Sequence, residues 1–323
     1  MNQFVQVPVF SVCIATYRQD EYIETCLRSV LAQAHEVSLE ILIGDDGDSP
    51  LTPEIVQRLS VEFPGCIEYF RHPQNLGASA NYQFLIARAR GEFIAHLDGD
   101  DFWLPGKLLA QLKVLREQPD LAACYTNALV VEDDLSLRMV FSAVAQQRYD
   151  LAFMLAGGNF LNHSSMVYRS QYKEVLLGFE GPFIDYKMHL HLARKGDLFM
   201  LPGAFVAYRW ATPQSMVLRT PGKVQQWYWE AMVSVLQCPE VSHAARCDAL
   251  AHYWGMAASE FLIKGRWTWA QHWSKEMSAV FPAEFAQVYW RGWRFAVARF
   301  VSMSFAVLGR KAAAPLVRVL HPR

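Results

Sequence analysis

The chain lacks a surplus of charge of either sign. Its 30 Lys and Arg face 31 Asp and Glu, for a formal net charge of −1. With a pI near 6.8, no global field favours nucleic acid, so none is expected as a partner. A cysteine pattern is also missing. Cys13, Cys26, Cys66, Cys124, Cys238 and Cys247 are scattered, with no CxxC pair and no metal-type spacing. Reduced, mostly buried thiols of a cytosolic protein are the expectation. Met1 to Pro8 has no basic segment followed by an apolar one, which predicts no signal peptide. No apolar stretch of about 18 residues is free of charge, so no spanning helix is expected. Internal repeats and low-complexity tracts are absent. What the chain does have is apolar content: 52% of its residues are hydrophobic, which supports a large core and excludes disorder.

The first 130 residues alternate between two periodicities. Val9–Ala15, Leu39–Ile43, Cys66–Phe70 and Glu92–Leu97 read as buried strands. Between them, Glu21–Gln33, Pro53–Leu59 and Ala78–Arg90 carry helical spacing, and Pro105–Glu117 follows as another helix. This order predicts an α/β fold with a mostly parallel sheet flanked by helices. Further strands are expected at Ala122–Thr126, Ser164–Tyr168 and Ala204–Tyr208, and a helix at Ile184–Lys195. From Pro221 onward the chain reads as helical and Trp-rich. The Thr212–Gly222 segment, with two prolines and a glycine, is the expected linker.

Two acidic clusters end strands on the same side of such a sheet. Leu97-Asp98-Gly99-Asp100-Asp101 follows the fourth strand, and Asp45-Asp46-Gly47-Asp48 follows the second. Carboxylates packed this closely resist burial unless a cation joins them. Mg²⁺ or Mn²⁺ suits carboxylate oxygens and completes its shell with phosphates. An EF-hand loop is excluded, because its glycine and glutamate positions hold Trp103 and Leu109. A solvated turn before the Pro105 helix is the plainer alternative. For Asp45 and Asp46, an Asx turn and a contact to a nucleobase or ribose are equally open.

Taken in order, these segments resemble glycosyltransferase family 2. The matching stretches are PVFSVCIATY (8–17), EYIETCLRSVLAQ (21–33), EILIGDDG (40–47), Asn75-Leu76-Gly77 with Asn81, ARGEFIA (89–95), and LDGDDFW (97–103) followed by Pro105, Lys107 and Gln111. The resemblance covers roughly residues 8–215 and implies a GT-A fold that moves a sugar from a nucleotide-sugar donor with inversion. It implies that Asp100, with Asp98, ligates the Mn²⁺ or Mg²⁺ and that Asp98 meets the ribose or the metal shell. Asp45 or Asp46 would hold base and ribose, Thr16 and Tyr17 would lie beside the nucleotide, and Asn75 and Asn81 would line the donor side. The general base falls on Asp185, at the start of the helix Asp185-Tyr186-Lys187-Met188-His189. The partner glutamate of the family is replaced by Ile184. The Ala-Arg-Asn common after the Asn-x-Gly element is also missing its arginine, since this chain has Ala80-Asn81-Tyr82. Arg209, in Tyr208-Arg209-Trp210, is the implied phosphate contact. His163 and His189 are placed on the acceptor side. His189 and His191 sit at i and i+2, which argues against their sharing a metal.

After Glu284 the chain has no acidic residue, while Arg291, Arg294, Arg299, Arg310, Lys311, Arg318 and Arg323 are basic with aromatics between them. A basic amphipathic helix across 285–323 fits an anionic membrane surface. An ordinary packing helix or a homodimer contact fits it equally.

These expectations divide the chain into a GT-A domain at 1–215 and a helical region at 216–323. The activity expected is inverting, metal-dependent transfer from a UDP- or dTDP-sugar to a glycan or lipid-linked hydroxyl in surface polysaccharide synthesis. The location expected is cytoplasmic, at the inner face of the membrane. A degenerate protein that binds nucleotide-sugar or glycan without turnover is the rival. A nucleotidyltransferase is disfavoured, because Ala15-Thr16-Tyr17-Arg18 is not a Gly-rich basic loop.

Overall fold

The computed structural model describes residues 7–143, 147–210, 219–309 and 319–321. The expected boundary at 215/216, and most of the expected linker, lie outside these residues. The chain divides into two compact units, 1–150 with 160–231 and 318–323, and 151–159 with 232–317.

The first unit is built on one sheet. β1 (Phe10–Thr16) lies between β2 (Leu39–Asp45) and β4 (Phe93–Asp98), and β3 (Ile67–Arg71) flanks β2. All of these pairings are parallel. The apolar runs form central strands because both faces are covered. Val12, Ile14, Ile41 and Ile43 pack in one cluster with Ile23, Leu27 and Val30 of α1 (Ile23–Leu31). α2 (Thr52–Glu62) and α3 (Ala78–Arg88) make the other early crossovers.

Beyond β4 the sheet becomes mixed. β5 (Phe102–Trp103) and α4 (Lys107–Glu117) lead into β6 (Leu121–Val131), which pairs antiparallel with β7 (Leu137–Ser142). β8 (Arg148–Tyr149) and α5 (Leu151–Gly157) follow. The expected strand at 164–168 starts instead as a 3₁₀ turn, His163–Ser165, and only β9 (Val167–Arg169) is extended. β9 runs antiparallel between β4 and β6. A period of two in the sequence carries no strand direction, so this reversal has no signature there. After α6 (Lys173–Leu177) and α7 (Asp185–Ala193), β10 (Asp197–Arg209) runs parallel to β6 and antiparallel to β5. Register shifts around Pro202-Gly203 bend it, and its last residues lie beside the loop after β4.

The second unit is helical. α8 (Pro221–Leu236) crosses the division between the units and is followed by α9 (His243–Lys264), α10 (Trp267–Val280) and α11 (Pro282–Gly309). Ser242 caps α9 by accepting the Ala245 N–H over 3.1 Å, as N-cap serines do. Trp254 packs against Phe285 and stacks on Tyr289, and its Nε1 donates to the Tyr289 carbonyl over 3.1 Å.

The expectation of one basic helix to the end of the chain is corrected. α11 ends at Gly309, and β11 (Val319–His321) pairs in parallel with β7 on the first unit's sheet. An edge strand offers a row of unmet backbone groups, and a short extended segment satisfies them. No helix among the described residues is long and apolar enough to cross a membrane.

Candidate functional site

Three strand ends meet at one crevice, where ligands gather in open parallel sheets. The Gly99 N–H donates to the Ala15 carbonyl over 2.9 Å, and the Asp46 N–H donates to the Thr16 carbonyl over 2.9 Å. A Cβ on Gly99 would lie 2.8 Å from Thr16 Cβ and 2.9 Å from its Oγ1. Only glycine lets the acidic loop press this closely on β1. Thr16 is buried, and its Oγ1 has no hydrogen-bond partner among the described residues.

The acidic loop is held from three sides. Tyr82 Oη donates to Asp98 Oδ1 over 2.7 Å. Ser164 Oγ donates to Asp101 Oδ2 over 2.5 Å, and the Arg209 N–H donates to Asp101 Oδ1 over 3.0 Å. Asp101 is buried, while Asp98 and Asp100 are half-buried. Burial raises the Asp98 carboxyl above the usual carboxylate range. Burial, then the charges of Asp100 and Asp98, push Asp101 up further. Arg209, tied to this loop by its N–H, holds its guanidinium over Tyr22 and Phe102 at 4.8 and 5.3 Å from the ring centroids. Its buried Nε has no partner among the described residues. Three carboxylates cluster here within one loop, and Thr16 adds an unengaged hydroxyl. This set fits a hard divalent cation, with Asp98 and Asp100 as its carboxylate donors.

On the β2 side, Asp45 Oδ2 accepts from Tyr69 Oη over 2.6 Å and Oδ1 from the Gly47 N–H over 3.2 Å. Burial outweighs these bonds and raises its pKa. Asp46 grips the loop before α3: Oδ1 accepts the Leu76 N–H over 2.6 Å and Oδ2 the Gly77 N–H over 2.8 Å. Asn75 Nδ2 donates to the Asp46 carbonyl over 2.9 Å. The expected donor-side role of Asn81 meets a different geometry. Its Nδ2 donates to the Gly44 carbonyl over 2.8 Å, and Oδ1 lies 2.9 Å from His72 Nε2. At 1% exposed, Asn81 braces the end of β2 from behind. Tyr17 is half-exposed at the mouth of β1.

The residues expected as base and on the acceptor side also converge. Asp185 opens α7, where a carboxylate meets the positive end of the helix dipole. His189 lies one turn on, and His163 reaches the same place from the 3₁₀ turn. One potential ligand atom from each of the three lies within 4.8 Å of the others. His191 is elsewhere, with its ring edge-on to Phe179. Burial pushes the His163 imidazole down, partly offset by Asp185. Burial, then His163, pushes His189 well down.

Four contacts were absent from the sequence reading. Tyr82 and Ser164 hold the acidic loop, Tyr69 holds Asp45, and Asp101 turns inward rather than toward the crevice. Only one grouping left a trace in sequence: Asp185 and His189 are spaced i and i+4, one face of a helix.

Comparisons with known proteins identify the family and the fold. The model of glycosyl transferase family 2 matches residues 11–176. An uncharacterized protein of Mycobacterium tuberculosis is 30% identical over 200 residues, 62% of this chain and 58% of the relative. The chain thus spans less than two thirds of that relative's length. TuaG of Bacillus subtilis, a glycosyltransferase assigned to teichuronic acid biosynthesis, is 30% identical over 143 residues, 44% of this chain and 56% of TuaG. Among solved structures, residues 1–349 of S. aureus TarS superpose with a TM-score of 0.65 at 16% identity, covering 86% of this chain and 83% of that fragment. The mannosyltransferase PcManGT of Pyrobaculum calidifontis, solved with GDP-Man and Mn²⁺, gives 0.54 at 15% identity, covering 91% and 87%. At these identities the structures show the GT-A fold alone.

Proposed function

Because the chain belongs to glycosyltransferase family 2, we propose that it transfers a sugar, with inversion, from a nucleotide-diphosphate donor to a hydroxyl of a glycan or lipid-linked acceptor. The observation that carries this reading is the convergence of Thr16, Asp45 and Asp98–Asp101 at the carboxyl ends of parallel strands. A neutral small ligand would gain nothing from so much carboxylate. A diphosphate brought in with a divalent cation would.

In this reading Asp98 and Asp100 hold Mn²⁺ or Mg²⁺ at the donor diphosphate. When bound, the cation supplies Lewis-acid stabilisation of the departing diphosphate. Arg209 adds positive charge on the same side. Asp45, Tyr17 and Asn75 face the nucleoside, while Asp46 and Asn81 keep those elements in place. Asp185 accepts the proton of the acceptor hydroxyl as its oxygen attacks the anomeric carbon. The new C–O bond forms on the face opposite the breaking one, whose electron pair leaves with the nucleoside diphosphate. His163 and His189 border the acceptor.

Residues 1–215 carry this chemistry, and the helical region 216–323 is accessory. A donor of the UDP- or dTDP-sugar class and a role in cell-surface polysaccharide synthesis follow the names of the relatives, as TarS has been solved with UDP-GlcNAc. α11 exposes Trp290, Val297, Phe300 and Val301 beside Arg294 and Arg299, which suits peripheral contact with an anionic membrane on its cytoplasmic face.

A thermal-shift screen against UDP, GDP, CDP and dTDP, each with and without Mn²⁺, tests the reading. Metal-dependent stabilisation by one nucleotide supports it and names the donor class. No response to any nucleotide with metal moves the weight to a non-catalytic glycan-binding protein.

A further inference from the structure

His163, Asp185 and His189 bring two imidazoles and one carboxylate to one place, with a ligand atom of each within 4.8 Å of the others. The donors come from two elements. Asp185 and His189 share a face of α7 one turn apart, and His163 stands on the 3₁₀ turn His163–Ser165. The walls are aromatic. The Tyr125 ring meets His189 edge-on at 5.1 Å. Those of Tyr82 and His96 meet His163 at 4.9 and 5.0 Å. Within this wall the buried Nδ1 of His163 has no hydrogen-bond partner among the described residues.

The chemistry of this set differs from that of the loop after β4. Oxygen-only donors suit Mg²⁺ and Mn²⁺, whereas imidazole nitrogens favour softer ions such as Zn²⁺. Tetrahedral zinc with Zn–N of about 2.0–2.1 Å places its donors about 3.4 Å apart. Side-chain rotations of roughly an ångström would close the observed set to that spacing, leaving the fourth position open to water.

We propose that His163, Asp185 and His189 form a second metal site, selective for Zn²⁺-class ions, and that the bound ion switches transfer off. The inhibitory part rests on Asp185 being the base: a zinc-bound carboxylate is too weakly basic to take the acceptor's proton. The binding part does not rest on that reading.

The test begins with full-length protein stripped by chelator and titrated with Zn²⁺ in a calorimeter, without nucleotide. Wild type is expected to show a site that His163→Ala weakens by at least roughly tenfold and that Asp100→Ala leaves unchanged. Co²⁺ in place of Zn²⁺ reports nitrogen ligation by its visible absorption, which His163→Ala should abolish. Retained stabilisation of His163→Ala by nucleotide with Mn²⁺ shows that the variant is folded and its donor site intact. His163→Asn is the second variant if alanine fails to fold. Equal Zn²⁺ affinity in wild type and His163 variants, or no nucleotide-independent site in wild type, overturns the metal site. Transfer that proceeds at full rate with the site saturated overturns the inhibitory role and counts against Asp185 as base, while the binding result stands.

Discussion

The backbone N–H of Arg209 donates to Oδ1 of Asp101 over 3.0 Å, so the last residue of β10 is tied to the acidic loop after β4. This bond sorts the loop's carboxylates by task. Asp101 is consumed by Arg209 and Ser164 on the inside. Asp98 and Asp100 are less buried, and Asp98 is braced by Tyr82. Arg209 also lays its guanidinium over the rings of Tyr22 and Phe102.

This division predicts opposite behaviour for adjacent residues. Asp101→Ala leaves the Ser164 hydroxyl and the Arg209 N–H without their acceptor, at a cost of about 1–3 kcal/mol in chemical denaturation. Asp100→Ala should still fold cooperatively in chemical denaturation and lose Mn²⁺-dependent nucleotide binding. Unchanged nucleotide affinity with Mn²⁺ in Asp100→Ala would refute its assignment as a ligand.

Asp185→Asn keeps the shape of the carboxylate and removes its basicity. Nucleotide binding with Mn²⁺ should be unchanged, and kcat should fall by roughly 100-fold or more. Turnover near wild type in a single-turnover assay would remove Asp185 from the role of base.

The strand-end acids were legible in sequence because apolar runs fix strands and parallel order fixes which ends share a crevice. Asp45 and Asp98 close β2 and β4, and Asp100 lies in the loop after β4. The inward turn of Asp101 was not legible, since it depends on a bend in β10 roughly a hundred residues away. The meeting of His163 with Asp185 and His189 was hidden for a related reason. It rests on β9 entering the sheet antiparallel, and strand direction leaves no periodic trace. His189 and His191 were the wrong pair to compare. The useful spacing was Asp185 to His189.

Asn81 and Gly44 form a second long-range lock that can be broken selectively. A Cβ at Gly44 would fall 1.9 Å from Asn81 Oδ1, with no room to move because Asn81 is bonded at both ends. Gly44→Ala should cost about 1–3 kcal/mol. In a double-mutant cycle with Asn81→Ala, the two changes should be less than additive by about 0.5 kcal/mol or more. Additive costs in urea denaturation would show that the two residues do not support each other.

The exposed face of α11 separates the membrane reading from the packing reading without disturbing β11. Trp290 is 73% exposed and Val297 is 49% exposed, so Trp290→Glu with Val297→Glu should leave stability within about 0.5 kcal/mol. If α11 meets anionic membranes, the double variant loses binding in a liposome flotation assay while wild type floats. A wild-type protein that stays with the soluble fraction at low salt counts against the membrane reading.

Lys107 ties stability to pH. Its ammonium is buried over the Trp103 ring at 4.0 Å from the centroid and donates to Gln111 Oε1 over 2.8 Å. Burial lowers its pKa from 10.5 to about 7. The unfolded chain holds this proton to near 10.5 while the folded chain releases it near neutrality, so between those values the unfolded state binds more protons. Stability therefore rises with pH across that window, by about 1.4 kcal/mol per unit from this one group. Below about pH 7 both states are protonated and the dependence vanishes. Lys107→Met removes the titrating group and keeps much of the volume. The readout is the difference between the two proteins in how stability changes with pH. Urea denaturation at about pH 7.5 and 8.5 should show wild type gaining about 1 kcal/mol more than Lys107→Met. Parallel slopes in the two proteins would mean that Lys107 keeps its proton in the folded state, stabilised by Gln111 and the Trp103 face.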